Sequence, residues 1–456
     1  MYALKILFSI LFTIIFILLL SVFNFLGFQY QILAFITFLI FVIISITNLR
    51  FAVYIWIALS GTLNTSLIEM KGGHIYLGYP LLVTLIIVWL VSLLKKRENR
   101  VIVKNITIPV LVFSILVICS TIFGIFYRDY DINSIHNSSI MKIYSSTFYI
   151  LSLSTILLVC SQIKSRTDIK ILSIVLLSSS IILIIDKIMI KSDVVPTRFD
   201  VGSFVFSAPL AISFAIHGKF NPWKLCLFII PFYPWKASIL ELLYPGTAQL
   251  IVRWVYVSMS ALYMLFFKSR KIFLWVAMIL ITVTVLNAEK VVEIQERTEA
   301  EGANARYHEW TNALGLFTYW PLGIGPGNYY DYSATYKRSG LLELTTPHSQ
   351  YVQLIAETGV ATLMVFLWLS YSILKIGISL YNTLADPFLK AFVLGATAAF
   401  FSQLLAAGLG DHMLPAYHNA GYARFGTTVY TWVCAGAIVA VHQFSRHDRH
   451  TAYGEN

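Results

Sequence analysis

The chain has 456 residues, of which 58% are hydrophobic and 12% charged, with a formal net charge of +11. A soluble domain carries about 25% charged residues, so the composition excludes an ordinary globular protein and points to a chain solvated by lipid. The basic excess lies in short clusters, Lys95-Lys96-Arg97, Lys164 with Arg166, and Lys268, Arg270 and Lys271, which is the pattern of cytoplasmic loops and not of a nucleic-acid surface.

In chain order, apolar runs of spanning length predict membrane helices near 5–26, 30–47, 51–67, 75–94, 107–126, 143–162, 168–187, 203–218, 222–241, 248–267, 271–288, 351–374, 388–408 and 425–443. Residues 51–67 and 203–218 are short for a span, so the expectation is an all-α polytopic membrane protein of 12–14 transmembrane helices, with both ends cytoplasmic. The first run lacks a small-residue cleavage site and is read as a retained span. The expected organisation is an N-terminal bundle over 1–288, a large outer loop over 289–347, and C-terminal helices with a short tail over 348–456. Cys119, Cys160, Cys226 and Cys434 lie far apart inside apolar runs and show no metal or disulfide spacing.

The loop 289–347 holds eight acidic residues (Glu289, Glu293, Glu296, Glu299, Glu301, Glu309, Asp331 and Glu343) against five basic ones (Lys290, Arg297, Arg306, Lys337 and Arg338). That balance suits the face away from the basic loops. Within it, Tyr307, Trp310, Ala313, Leu314 and Phe317 recur at helical spacing. The stripe faces either the membrane interface or neighbouring helices. Residues 320–332, "WPLGIGPGNYYDY", are dense in Pro and Gly without the strand–turn–helix context of a nucleotide site, so they read as a rigid turn allowing close backbone approach.

At the end of the loop comes "TTPHSQ", residues 345–350. Thr346 as cap with Pro347 at the first helical position would place His348 in the first turn of an outward-facing helix end. There the helix dipole favours a neutral imidazole and an anion, so His348 is a candidate general base or anion-site residue. Arg198, Arg253 and Arg306 fall on the same expected side, and guanidinium forks suit phosphate oxygens. The loop 409–424 also carries Asp411, His412, His418 and Arg424, which read as polar caps on two helix ends, with lining of an acceptor groove as the alternative.

These residues carry a resemblance. The run His348-Ser349, nine residues, Gly359, two residues, Thr362 is similar to a motif of the O-antigen ligase family of bacterial membrane glycosyltransferases. Arg306 four residues before Trp310, the following "PLGIGPGN", and Arg198 before Gly202 also match, over roughly 195–375. The family's Ser-Arg-Gly is Val252-Arg253-Trp254 here, retaining only the arginine. The resemblance implies a GT-C-like enzyme of the bacterial inner membrane with its active site facing the periplasm. It would move polysaccharide from undecaprenyl pyrophosphate to the lipid A-core acceptor, with no cofactor and no metal. Arg198, Arg253 and Arg306 would bind the pyrophosphate, while His348 and Arg306 serve catalysis. An O-antigen polymerase, extending a lipid-linked glycan, is the nearest alternative. A flippase is a second, which would show charged residues mid-span and paired broken helices.

Overall fold

The computed structural model describes residues 30–62, 66–70, 73–95, 103–127, 139–189, 202–217, 249–271, 273–275, 278, 282, 304–335, 347–410, 412–415 and 425–452. Eleven of the expected spans appear as helices: α1 (Tyr30–Thr47), α2 (Leu49–Thr62), α3 (Gly78–Lys95), α4 (Lys104–Phe126), α5 (Ser139–Gln162), α6 (Arg166–Met189), α7 (Gly202–His217), α8 (Gln249–Lys268), α11 (Gln350–Thr383), α12 (Pro387–Ala407) and α13 (Phe425–Ala452). The expected spans 5–26 and 222–241, and most of 271–288, lie outside the described residues. Within residues 289–347, α9 (Asn304–Tyr319) and α10 (Tyr329–Thr335) are two further helices.

The helical architecture follows from the solvent. Lipid offers no hydrogen bonds to the backbone, so an apolar run must satisfy its amides within itself. Among the described residues four segments are long and apolar enough to cross a membrane, Lys104–Phe126, Lys142–Gln162, Gln350–Thr383 and Pro387–Ala407. The 23 residues of α4 extend about 34 Å at 1.5 Å per residue, which matches the hydrocarbon thickness. Its exposed Ile108, Leu111, Ile115, Ile118 and Ile122 form one stripe, a face for lipid. This is a polytopic membrane protein.

Between α2 and α3 the chain departs briefly from helix. Strands β1 (Ser66–Met70) and β2 (Gly73–Tyr76) form an antiparallel hairpin with Glu69 opposite His74 and Met70 opposite Gly73. β-branched and aromatic residues flanking a glycine pair favour this local pairing.

The centre of the bundle is α13, buried at every position from Thr428 to Val441, as a helix apolar all round should be. It packs on α5, and α12 packs on α7, α8, α11 and α13. Trp432 of α13 sits edge-on to Phe366 of α11 and Phe400 of α12, with centroids 6.0 Å apart in both cases. Its indole also donates to the Met413 carbonyl at 2.8 Å.

One end of the bundle is pinned by polar groups. Asp386 caps α12, accepting from the Phe388 and Leu389 amides at 2.8 and 3.4 Å, with Pro387 at the first helical position. Arg166, from the start of α6, pairs with the same carboxylate. Beside it, the buried Asp168 accepts from the Lys164 amide, the Ser165 hydroxyl and the Tyr54 hydroxyl at 2.9, 2.9 and 3.2 Å. The basic loop 163–165 and the α11–α12 connection therefore share one end, and α11 runs from there to the opposite end, where His348 lies.

Candidate active site at the start of α11

The segment 304–335 folds onto α11 through a small core of its own. Ala313 and Leu316 of α9 pack with Ile324 of the turn, Tyr329 and Tyr332 of α10, and Ala356 of α11. The stripe expected on α9 is thus divided. Ala313 turns to protein, Trp310 is half-buried, and Tyr307 and Leu314 are exposed. The buried face also carries Glu309, which accepts from the Tyr329 hydroxyl at 2.8 Å. Burial, reinforced by the Glu309 and Glu357 carboxylates, holds that hydroxyl protonated far above its ordinary range.

Residues 320–328 form the rigid turn expected. Gly323, Gly325 and Gly327 have φ of 83°, 90° and 81°, values that L side chains rarely adopt. The turn is wedged between α4 and α11. A Cβ on Gly124 of α4 would lie 2.5 Å from the Ile324 carbonyl oxygen, and one on Gly359 of α11 would lie 2.6 Å from that of Pro321.

Opposite the turn, α11 is broken. Gly359 has φ 82° and ψ 164°, which interrupts the ladder and frees the carbonyls just before it. The turn supplies replacement donors. Ile324 N–H donates to Ala356 O at 3.0 Å, and Gly325 N–H to Glu357 O at 2.9 Å. The Ser120 hydroxyl of α4 adds a second bond to Glu357 O at 2.7 Å. Thr362, the last position of the motif, is buried and donates back to the Thr358 carbonyl at 2.8 Å. The motif's Gly and Thr therefore have structural roles at the break.

At the other end of this half-helix, the structure corrects the expected cap. The helix begins at Gln350, with Ser349 as N-cap in extended conformation (φ −149°, ψ 116°) and no side-chain cap bond. Pro347 and His348 precede the helix instead of opening it. His348 has φ 46°, which no right-handed first turn accommodates. The Pro347 carbonyl accepts from the Trp310 indole at 2.7 Å. That bond ties α9 to the residue next to His348, and Arg306 lies one turn before Trp310, at the third position of α9.

The arginines are brought in unequally. Arg253 is the fifth residue of α8. Ser260 of α8 bonds Ser402 of α12 at 2.8 Å, and Phe267 meets Tyr381 near the far end of α11. α8 thus runs antiparallel to α12, and Arg253 falls toward the end where α12 finishes. Tyr351, three residues after His348, reaches the Leu404 carbonyl at that same end. The side chains of Arg253 and Arg306, and all of Arg198, lie outside the described residues, as do Asp411, His418 and Arg424. His412 follows the end of α12 with its amide bonded to Gly410 O at 3.2 Å.

The order of parts in this region is arginine helix, indole bond, glycine turn and histidine ahead of a broken helix, and it can be compared with known families. Residues 225–367 match the family model for O-antigen ligase. The matched segment takes in Arg253, Arg306, the glycine turn and His348 with its Gly359 and Thr362, while Arg198 falls before it. No curated protein matches the chain. A solved structure titled "Structural coordination of polymerization and crosslinking by a peptidoglycan synthase complex" is similar over 73% of this chain and 97% of its own, at 14% identity and a TM-score of 0.42.

Sequence reasoning missed Glu357, Tyr149, Ser120 and Glu309. Glu357 had a usable signal: a carboxylate inside an apolar run, two residues before a motif glycine, is costly in lipid and marks a site.

Proposed function

We propose that the protein is an O-antigen ligase, transferring polysaccharide from undecaprenyl pyrophosphate to a sugar of the lipid A-core on the periplasmic face of the inner membrane. The observation that carries this reading is the family match over 225–367, whose segment contains the indole bond joining the Arg306 helix to the residue before His348. In the reaction the acceptor hydroxyl oxygen bonds to the anomeric carbon of the donor glycan as the bond from that carbon to the pyrophosphate oxygen breaks. Undecaprenyl pyrophosphate leaves with the electron pair, and Arg198, Arg253 and Arg306 bind it and stabilise the developing charge. His348 accepts the hydroxyl proton. Three guanidinium groups supply the positive charge that a metal would otherwise supply, so transfer is expected to survive chelation.

The test is complementation of a strain lacking its own ligase, with wild type, His348→Ala and Arg306→Ala compared. Banded lipopolysaccharide restored by wild type, with long polymer held on the lipid carrier in both variants, supports the ligase. Lipid carrier holding only single repeats when the protein is absent identifies a polymerase instead. The single break in α11 among the described residues is held by donors from the glycine turn and α4, which suits a fixed site better than the moving, paired breaks of a transporter.

A further inference from the structure

We infer that Glu357 is a positioning residue for the transfer reaction, its carboxylate joining the glycine turn and α5 to the broken end of the half-helix that begins beside His348. The inference rests on the role given to His348 above.

Glu357 is 1% exposed, and a buried carboxylate in a lipid-embedded bundle is expensive unless its oxygens are satisfied. Here each oxygen is taken by a different element. Gly327 N–H of the turn donates to Oε1 at 3.1 Å, and the Tyr149 hydroxyl of α5 donates to Oε2 at 2.8 Å. The residue's main chain adds the bonds from Gly325 N–H and Ser120 Oγ. One residue thus joins α4, α5 and the turn to α11.

The break gives this meeting point leverage. At Gly359 the ladder is interrupted, so the long part of α11 does not dictate the direction of residues 350–358. The bonds at the break do. His348 stands beyond the other end, nine residues away, and the helical stretch from Gln350 to Glu357 alone spans about 10 Å, so a small rotation at Glu357 becomes a displacement at the histidine. The same turn joins α9 directly, Gly323 N–H bonding Trp320 O at 2.8 Å and Trp320 N–H bonding Leu316 O of α9 at 2.9 Å, and therefore bears on Arg306 as well. Misplacement of a reacting group by about 1 Å can cost about a hundredfold in rate.

The chemistry distinguishes placement from charge. A glutamine at 357 can accept from Gly327 N–H through its single oxygen and donate to the Tyr149 hydroxyl, keeping both links without the charge. Alanine loses both, while the main-chain bonds that seat the turn survive in either variant.

The experiment uses the full chain reconstituted in phospholipid vesicles with a polyprenyl-pyrophosphate-linked glycan donor and a lipid A-core acceptor. Wild type is compared with Glu357→Ala, Glu357→Gln, Tyr149→Phe and His348→Ala. The expected result is a fall in kcat of about tenfold to a hundredfold for Glu357→Ala with donor KM within about twofold. Glu357→Gln should stay within about threefold of wild type, and Tyr149→Phe should fall between the two. Glu357→Gln as slow as Glu357→Ala overturns the proposal in favour of a charge role, and wild-type kcat in Glu357→Ala overturns it outright. Should Glu357→Ala fail to fold, unchanged kcat in Tyr149→Phe overturns it. Loss of activity in His348→Ala with no loss in the Glu357 variants leaves the ligase reading standing and removes only this inference. Full activity in His348→Ala removes both.

Discussion

The indole nitrogen of Trp310 donates to the carbonyl of Pro347 at 2.7 Å, across 37 residues of sequence, and so fixes the helix of Arg306 against the segment of His348. Replacing Trp310 with Phe keeps most of the ring volume and removes the donor. This partly buried hydrogen bond contributes about 1 kcal/mol. Trp310→Phe should therefore lower thermal stability modestly and lower glycan transfer severalfold more than stability explains. Melting of the purified protein and lipopolysaccharide banding measure the two separately.

His348 combines a half-buried side chain with a left-handed backbone, φ 46°. Such a conformation costs a residue with a Cβ about 1 kcal/mol, and glycine adopts it freely. His348→Gly is expected to abolish transfer while leaving the melting temperature equal to or above wild type. His348→Ala should abolish transfer with no such gain. A His348→Gly protein that transfers glycan at the normal rate would remove His348 from the reaction.

Glycine is required at 359 and not at 315. Gly359 has φ 82° and its added Cβ would meet Pro321 O at 2.6 Å, whereas nothing lies within 4 Å of one added at Gly315. Gly359→Ala should cost about 2 kcal/mol or more and reduce transfer, since it strains the backbone and displaces the turn. Gly315→Ala lies inside α9 and should be neutral or stabilise by about 0.5–1 kcal/mol. Paired unfolding measurements check both signs.

Asp386 gives a pH dependence. Burial pushes its carboxyl up, but the Arg166 side chain and the Phe388 and Leu389 amides outweigh that and hold it below the usual carboxylate range. A depressed folded-state value means the contribution is present above the unfolded value of 3.8 and is lost as pH falls through the folded one. Wild type should lose this increment only in acid, whereas Asp386→Ala lacks it at neutral pH, by about 1 kcal/mol for the cap. Asp386→Asn, itself a good cap, should recover most of it, because the pair with the half-exposed Arg166 adds little.

Much of the frame was legible because lipid imposes a simple rule: an apolar run must be a helix. The runs 107–126, 143–162, 351–374 and 388–408 are found as α4, α5, α11 and α12 with ends shifted by a few residues, apart from a longer α11. The glycine turn was legible too, since three glycines in five residues beside prolines have few other uses. The cap at Thr346-Pro347 was misplaced by local chemistry. The sequence pattern favours a helix start there, but a tertiary bond from Trp310 takes the Pro347 carbonyl and His348 turns left-handed before the helix can begin.

What the sequence alone determined is therefore the helical runs found among the described residues and the family motif over His348, Gly359 and Thr362, because periodicity, composition and spacing are local quantities. Only the tertiary structure decided that α11 breaks at Gly359 and that Glu357 sits at the meeting point of α4, α5 and the turn. Those contacts join residues 208 and 237 positions apart. No pattern within α11 encodes the turn that replaces its lost helical donors; the donors exist only once the segment 304–335 has folded back onto the bundle.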